Sequence, residues 1–421
     1  MLFVVLFLAA QVVAGVLLAF TLRRAVLLVG ACLPEGTLRA APGPSSAASD
    51  NTAVGAVPLV LVLVPCRNEA ASLPGLWPAL DRLDYPRERL RLTLVDDAST
   101  DQSPELAEAW TQSRPWARLL SLPVNVGKAQ ALNTALAAEL HPGFAPDMVV
   151  VYDADHRPAP RALRALLPAF AQASTAAVSG QMRVANGFAS PAAAYAMIES
   201  LVNQFVTMRA KDRLNLAPAL LGSNCAYRLT ALQAAGGFRG GALLEDSDLT
   251  LAFAVAGWRT HFAPASISEH QAPLTVRGYV QQHLRWNRGF HQVTTGRLGA
   301  LWRSPRLSLP LKIELSFFAF GYADRLALLA ALLFTIVDAL RPGTFGFPVV
   351  VWGIYLGLPA LEMIAALLLA REPGGAYLRL VYVPFFFVLD IAVAAWSSAQ
   401  SLLHRPLRWR ATERPNAGEA A

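Results

Sequence analysis

Long apolar segments at both ends of the chain constrain its fold more than any other feature. Residues 1–20 are apolar except for Gln11, and about 20 such residues suffice for a helix to cross a bilayer. Of the 421 residues, 54% are hydrophobic and only 15% are charged, which is a more apolar composition than soluble proteins usually have. We therefore expect part of this protein to lie in lipid.

The first apolar segment is predicted to be an uncleaved membrane anchor over residues 1–24, because Arg23 and Arg24 follow it as a cytoplasmic flank. A cleaved signal peptide is the alternative, but its basic residues would precede the apolar run rather than follow it. Residues 34–56 are rich in Pro, Gly, Ser and Ala and lack periodicity. This composition predicts a flexible linker before the next folded unit.

Three apolar blocks near the other end are each long enough to span a bilayer: residues 315–340, 347–370 and 380–403. We assign residues 315–403 to a membrane region and expect the preceding residues 297–314 to lie flat at the bilayer interface. Three spans would place the basic tail, residues 404–421, outside, whereas its arginines favour the inside. An extra span or a re-entrant segment would reconcile the two, so the side of the tail stays open.

Charged residues inside those blocks are unusual, because a charge in lipid is costly and the default interpretation is a functional role. Asp390 lies within the last block, and Asp324 and Arg325 stand side by side in the first. For the Asp324–Arg325 pair we favour a position at the membrane interface.

Between the apolar ends, short β-rich runs alternate with helical stretches. The runs are Pro58 to Val64, Leu90 to Val95 and Met148 to Tyr152, and the predicted helices are Ala70 to Leu83 and Lys128 to Leu140. The alternation predicts an α/β domain over residues 57–296, with a mostly parallel sheet and helices on both faces. In such sheets, ligands bind beyond the carboxyl ends of the strands.

An Asp-x-Asp pair, Asp153 and Asp155, follows the strand predicted to end at Tyr152. Two carboxylates at this spacing can hold Mg²⁺ or Mn²⁺, with phosphate oxygens completing the coordination. The cation would then neutralise a leaving diphosphate. A solvated turn is the simpler alternative for so short a motif, but its place at a strand end favours the metal site.

Two further residues are candidates for donor binding. Asp97 follows the strand predicted to end at Val95, where it could contact a nucleotide, while Ser99 or Asp101 could cap the next helix. Lys128 opens a predicted helix, where its ammonium group and the helix amides could approach a diphosphate. For Lys128 taken alone, an exposed surface lysine is the stronger interpretation.

Glu245 and Asp246 precede a predicted helix over residues 249–256. A carboxylate at a helix start can serve only as a cap, but one that faces a substrate can act as the general base for a hydroxyl group. We favour Asp246 as the base.

The segment around Trp286 combines hydrogen-bond donors with a flat aromatic surface. Arg285 can bind phosphate, while Trp286 can stack on a sugar ring or anchor the chain at a membrane interface. His270 and His283 are predicted to be surface or structural residues rather than metal ligands, because no second histidine stands at ligand spacing.

The formal net charge is +7, and many of the cations are concentrated in one region: Arg277, Arg285, Arg288, Arg297, Arg303, Arg306 and Lys312. Such a patch could bind anionic lipid headgroups, a diphosphate or nucleic acid. We expect no nucleic acid, because the patch runs into an apolar span and lacks interleaved stacking aromatics. The three cysteines form no Cys-x-x-Cys pair, which favours a reducing, cytosolic setting.

Taken in order, the motifs over residues 58–289 resemble those of the membrane-embedded family 2 glycosyltransferases, which include cellulose, chitin, hyaluronan and poly-N-acetylglucosamine synthases and ceramide glucosyltransferases. The resemblance implies a GT-A-type fold and assigns roles to matching residues. The donor side would comprise Pro65, Arg67, Glu69, Asp97, Lys128 and Asp153, with Asp155 and Asp153 on the metal. The acceptor and diphosphate side would comprise Gly222, Ser223, Asn224, Gln282, Arg285 and Trp286.

The resemblance also implies an inverting transfer from a nucleotide-sugar, usually a UDP-sugar, without a covalent sugar intermediate. Glu245 and Asp246 match a Thr-Glu-Asp motif whose aspartate is the base, although Leu244 replaces the threonine. The protein would be integral to the plasma or inner membrane, with its catalytic domain in the cytosol.

The acceptor stays open between two classes. We expect a growing polysaccharide, with addition of a single sugar to a lipid as the alternative, because both kinds of enzyme carry a Gln-x-x-Arg-Trp signature like that of Gln282, Arg285 and Trp286. A membrane scaffold without activity is a third interpretation, and the presence of all the expected acids argues against it.

Overall fold

The computed structural model describes residues 2–34, 57–341 and 349–403. Most of the predicted linker, from residue 35 to residue 56, lies outside the described residues. The predicted basic tail, from residue 404 onward, also lies outside them.

The strands of the described chain are β1 Val60–Cys66, β2 Leu90–Asp96, β3 Ala117–Ser121, β4 Met148–Val151, β5 Arg157–Pro158, β6 Thr175–Val184, β7 Cys225–Arg228 and β8 Arg259–His270. The helices up to the end of the sheet are α1 Leu2–Cys32, α2 Leu73–Asp81, α3 Ser103–Thr111, α4 Lys128–Glu139, α5 Ala162–Leu166, α6 Pro191–Leu201, α7 Arg209–Arg213, α8 Leu229–Ala234 and α9 Glu245–Val255. The later helices are α10 Val276–Arg303, α11 Leu309–Ala319, α12 Ala323–Leu340, α13 Val349–Ala370, α14 Gly374–Leu378 and α15 Val383–Leu402.

All eight strands form one mixed sheet in the order β3-β2-β1-β4-β7-β6-β8-β5. The β3–β2, β2–β1, β1–β4 and β6–β8 pairs are parallel, and the remaining three pairs are antiparallel. The predicted α/β fold is therefore confirmed, and the three strands that the sequence predicted, β1, β2 and β4, lie side by side in the parallel stretch β3-β2-β1-β4.

The central strand β1 shows why this sheet is covered on both faces. Its successive residues are apolar, and successive side chains in a strand point to opposite sides. Val60, Val62 and Val64 pack in one core with α2 and α3, whereas Leu61 and Leu63 pack in another with α4, α8 and α9.

The register of the parallel strands brings the predicted motifs to one edge of the sheet. Cys66 on β1 pairs with Asp96 on β2, and Leu63 on β1 pairs with Val151 on β4. Because these strands end at the same edge of the sheet, the segments that follow them lie close together: residues 67–69, residues 97–101 and residues 153–155.

The helix α1 runs eight residues beyond the end predicted for the anchor. Its two arginines bind acids of the late helices: Arg23 pairs with Glu314 at 2.7 Å, and Arg24 pairs with Glu362 at 2.6 Å and with Asp324 at 3.3 Å. These pairs join α1 to α11, α12 and α13.

By length and composition, two helical segments of the described residues could cross a bilayer, Val4–Cys32 and Gly374–Leu402. They include most of the predicted anchor, residues 1–24, and of the last predicted span, residues 380–403. The number of spans between them stays a prediction.

Candidate active site

The ammonium group of Lys128 connects three separate segments of the chain. Its Nζ lies 2.7 Å from Asp153 Oδ1 and 3.0 Å from Glu245 Oε1, and it donates to the Gly222 carbonyl oxygen at 2.9 Å. Burial disfavours the charge, but Asp153 and Glu245 outweigh it and raise the pKa of Lys128 above its ordinary value. Lys128 is therefore a fixed cation, not an exposed surface lysine.

Asp246 lies beside this cation at the start of α9. Burial, followed by the negative charge of Glu245, raises the pKa of Asp246 to about 7, while Lys128 acts in the opposite direction. A carboxylate with a pKa near neutral is suited to general-base chemistry. Gly222 allows the close approach, because a Cβ there would lie 2.9 Å from Asp246 Oδ2 and its φ is +75°.

Asp97, predicted to contact the nucleotide, lies beneath the loop that leads into α4. It is 4% exposed, and it accepts hydrogen bonds from the Asn125 side chain and from the amides of Val126, at 2.7 Å, and Gly127, at 2.9 Å. These bonds hold the loop that places Lys128. Asp97 therefore contacts the donor-side residue Lys128 indirectly, through the loop residues 125–127 that precede it.

The first-strand motif is tied to the segment after β2 by side-chain bonds. Ser99 Oγ accepts from the Asn68 amide at 2.9 Å, so Ser99 joins two loops and does not cap α3. Asp101 accepts from the Ala70 amide at 3.1 Å and from the Ser103 amide, where α3 begins, at 3.0 Å. The Pro65, Arg67 and Glu69 segment is thereby held at the same edge of the sheet as Asp97.

The structure separates the two members of the Asp-x-Asp pair. Asp153 binds Lys128, whereas ligand atoms of Asp155, His156 and His270 all lie within 4.8 Å of one another. The two imidazole rings stack with their centroids 5.1 Å apart. These three residues could hold a metal ion.

His270 was missed as a candidate ligand because sequence spacing does not show its partner. The short strand β5 pairs with β8 so that Arg157 faces Glu269, which brings His156 next to His270. The available signal was His156 itself, which follows the Asp-x-Asp pair directly.

The predicted acceptor segment Gly222, Ser223 and Asn224 forms the floor under Asp153. Ser223 Oγ accepts from the Asp153 amide at 2.9 Å. Asn224 is fully buried, and its amide nitrogen donates to the carbonyls of Gln181 and Ser266. Because these hydrogen bonds occupy its side chain within the sheet, Asn224 supports the segment below Asp153 and has a structural role.

The helix α10 carries Gln282, Arg285 and Trp286, all partly exposed, and packs against the start of α9. A Cβ at Gly289 would lie 2.3 Å from Leu244 Cγ, so only glycine permits this contact. Leu244, where the resemblance led us to expect threonine, thus supports the Glu245–Asp246 segment by packing.

Polar contacts reinforce the packing of α10 on α9. Gln292 accepts from the Leu243 amide at 3.0 Å, and Arg297 binds the buried Asp248 at 3.0 Å. Arg297, expected in a basic patch open to lipid or phosphate, is therefore used to join two helices.

A sequence model described as "Glycosyltransferase like family 2" matches residues 58–289, which contain every predicted site residue from Pro65 to Trp286. The chain belongs to glycosyltransferase family 2.

Several relatives have known or assigned activities. The probable glycosyltransferase YdaM of Bacillus subtilis is 28% identical over 271 residues, 63% of this chain and 63% of that protein, so the match spans less than two-thirds of the relative's length. A beta-monoglucosyldiacylglycerol synthase of Synechocystis is 26% identical over 360 residues, 80% of this chain and 72% of that protein. An N-acetylglucosaminyltransferase of Rhizobium meliloti is 29% identical over 278 residues, 63% and 61% of the two chains.

Among solved structures, this chain is similar to a mannosyltransferase from Pyrobaculum calidifontis in complex with GDP-Man and Mn²⁺. The TM-score is 0.64 at 23% identity, and the alignment covers 96% of this chain and 99% of the other. At this level of identity the similarity confirms the GT-A-like fold of this glycosyltransferase, and it does not identify the sugar.

We predict that Gly289→Ala lowers kcat for sugar transfer by about tenfold or more, because the added methyl group would displace Leu244 and with it Asp246. Gly299→Ala on the same helix is the control, since its Cβ would meet only the flexible Arg303 guanidinium, at 3.3 Å. Steady-state kinetics of both purified variants measure the effect. Equal turnover of the two variants would contradict the packing role of Gly289.

Proposed function

We propose that this protein is a membrane-bound inverting glycosyltransferase that adds a sugar from a nucleotide-sugar to a lipid acceptor, with Asp246 as the general base. The observation that carries the proposal is the position of Asp246, a carboxylate with a pKa of about 7. A Cβ at Gly222 would lie 2.9 Å from Asp246 Oδ2 and 3.4 Å from Lys128 Nζ, so the carboxylate and the cation share one place. Base and cation lie where the ends of β1, β2 and β4 meet, the usual ligand-binding edge of such a sheet.

The chemistry follows from these groups. Asp246 accepts the proton of the acceptor hydroxyl, and the hydroxyl oxygen attacks the anomeric carbon of the donor. The bond from that carbon to the diphosphate breaks, and the nucleoside diphosphate leaves from the opposite side, which inverts the configuration. Lys128 places a positive charge near the leaving group, and Asp97 fixes the loop that carries Lys128.

Asp155, His156 and His270 would hold the divalent cation, while Asp153 binds Lys128. The ion would supply further positive charge to the leaving diphosphate. Imidazole nitrogens suit transition metals better than Mg²⁺, so this donor set favours Mn²⁺ over Mg²⁺. The structurally similar mannosyltransferase was solved with Mn²⁺.

The proposal places the protein in the plasma or inner membrane. Val4–Cys32 and Gly374–Leu402 would cross the bilayer, with Arg23 and Arg24 near the cytosolic face. The catalytic domain, residues 57–296, would lie in the cytosol. The end of α10 together with α11 would rest on the interface, since Trp302, Leu309 and Ile313 are exposed there.

A lipid acceptor is favoured by the extent of one match. The similarity to the diacylglycerol glucosyltransferase of Synechocystis runs over 360 residues and so reaches beyond the 58–289 domain into the apolar part of the chain. This changes the preference that the sequence gave for a polysaccharide acceptor. A glycan acceptor remains the second candidate, because N-acetylglucosaminyltransferases are also among the relatives.

We expect the purified protein to add one sugar to diacylglycerol, and Asp246→Asn to lower kcat by about 10²- to 10⁴-fold while nucleotide binding persists. Asp81→Asn is the control, because Asp81 pairs with Arg114 on the surface. A panel of UDP- and GDP-sugars should be tested with diacylglycerol, ceramide and oligosaccharide acceptors, and the products sized by mass spectrometry. A polymer as the sole product would exclude the lipid acceptor, and full turnover by Asp246→Asn would exclude Asp246 as the base.

Removal of His270 should weaken metal binding. We expect His270→Gln to raise the Mn²⁺ concentration for half-maximal activity by about tenfold or more, because one of three nearby ligand atoms is lost. His141→Gln is the control, since His141 is exposed in a surface turn. Electron paramagnetic resonance of bound Mn²⁺ gives a direct reading, and identical affinity in both variants would exclude His270 as a ligand.

A further inference from the structure

A buried charged cluster joins α10 to α6 and α15, on the side of α10 away from the base. It consists of Glu199 on α6, His283 on α10 and Asp390 on α15, with the hydroxyl groups of Tyr195 and Tyr279. None of these residues belongs to the donor or metal sites described above. His283 and Asp390 are each 3% exposed, so their charges require partners within the protein.

The geometry identifies His283 as a cation. Its Nε2 lies 3.2 Å from Glu199 Oε2, and its Nδ1 lies 3.0 Å from the Tyr279 carbonyl oxygen. A carboxylate and a carbonyl oxygen can only accept, so both ring nitrogens must donate. Burial disfavours the imidazolium, but Glu199 and then Asp390 raise the pKa of His283 above its ordinary value.

Asp390 receives two tyrosine hydroxyl groups. Tyr279 donates to its Oδ1 at 2.6 Å, and Tyr195 donates to its Oδ2 at 2.9 Å. The ring of Tyr279 also stacks on His283 with centroids 3.8 Å apart. On α12, Arg325 adds a positive charge that acts on Asp390. A carboxylate of the apolar helix α15 is therefore tied, through Tyr279, to the same turn of α10 as His283.

The same helix continues directly into the acceptor-side residues. The rings of His283 and Trp286 meet edge to face at 4.8 Å, and one turn later Gly289 packs on Leu244 next to the base. A shift of α10 along α15 would therefore move Trp286 and the Leu244 contact together.

We propose that His283 is a positioning residue for the transfer reaction: its ion pair with Glu199, braced by Tyr279 and Asp390, fixes α10 between the apolar helix α15 and the segment that carries the base. This inference rests on the proposed function, because the reaction that His283 would support is the proposed sugar transfer. The cluster acts through α10 and touches neither the donor site nor the metal ligands.

The first arm of the test is kinetic. His283→Gln should lower kcat about tenfold or more and raise the KM of the acceptor, while the affinity for the nucleotide stays within about twofold of the wild-type value. His261→Gln is the matched control, because it breaks another histidine–carboxylate pair, with Asp212 at 2.9 Å, that lies away from α10. The double variant Glu199→Gln with His283→Gln removes both charges, and it should recover part of the loss. Equal losses in His283→Gln and His261→Gln, or a double variant with lower kcat than His283→Gln alone, would overturn the proposal.

The second arm does not depend on transfer. In hydrogen exchange measured by mass spectrometry, His283→Gln should speed exchange in α10 and in residues 243–248, and His261→Gln should not. Raising the pH through the pKa of His283 should reproduce this change in the wild type, because the pair with Glu199 is lost when the imidazolium deprotonates. Unchanged exchange would refute the positioning role even if the protein is an active glycosyltransferase, whereas changed exchange without any transfer would count against the proposed function alone.

Metal analysis of the purified protein completes this arm. A transition-metal ion that is lost only in His283→Gln would overturn the ion-pair assignment in favour of a metal site.

Discussion

The site depends on one partly buried cation, Lys128, held between acids from distant parts of the chain. It contacts Asp153 after β4, Glu245 at the start of α9 and the carbonyl of Gly222. Without that positive charge, three carboxylates would crowd one poorly solvated cleft, which is costly. Burial and the negative charge of Glu245 raise the pKa of Asp246 to about 7, where a base is most useful, while Lys128 acts in the opposite direction.

The helix α10 connects the segment of Glu245 and Asp246 to the apolar helix α15. One side of it packs on the base segment through Gly289 and Arg297, and the other binds α15 through the cluster around His283. A transferase with a lipid acceptor needs such a connection, because its soluble donor and its membrane-bound acceptor must meet within bonding distance. A single helix, α10, can hold both the base segment near the donor and the apolar helix near the acceptor.

The sequence predicted those parts of the fold whose signal is local. The apolar runs of β1, β2 and β4 predicted strands, and the acids at their ends predicted a common edge. The other strands were missed because they are short or carry many polar residues, and so was the approach of His270 to His156. The sequence also did not show pairings between distant segments. Arg23 and Arg24 were predicted as a cytoplasmic flank and Arg297 as part of a ligand-binding basic patch, and the structure pairs all three with buried acids.

The most direct test of the central claim is the pH dependence of kcat/KM in two variants that alter the charges around Asp246. The wild type should lose activity as the pH falls through about 7, because the base becomes protonated. Glu245→Gln removes a negative neighbour and should move this acidic limb to lower pH, whereas Lys128→Gln removes a positive neighbour and should move it to higher pH. Limbs that stay in place, or that move in the same direction, would show that these groups do not surround the catalytic base.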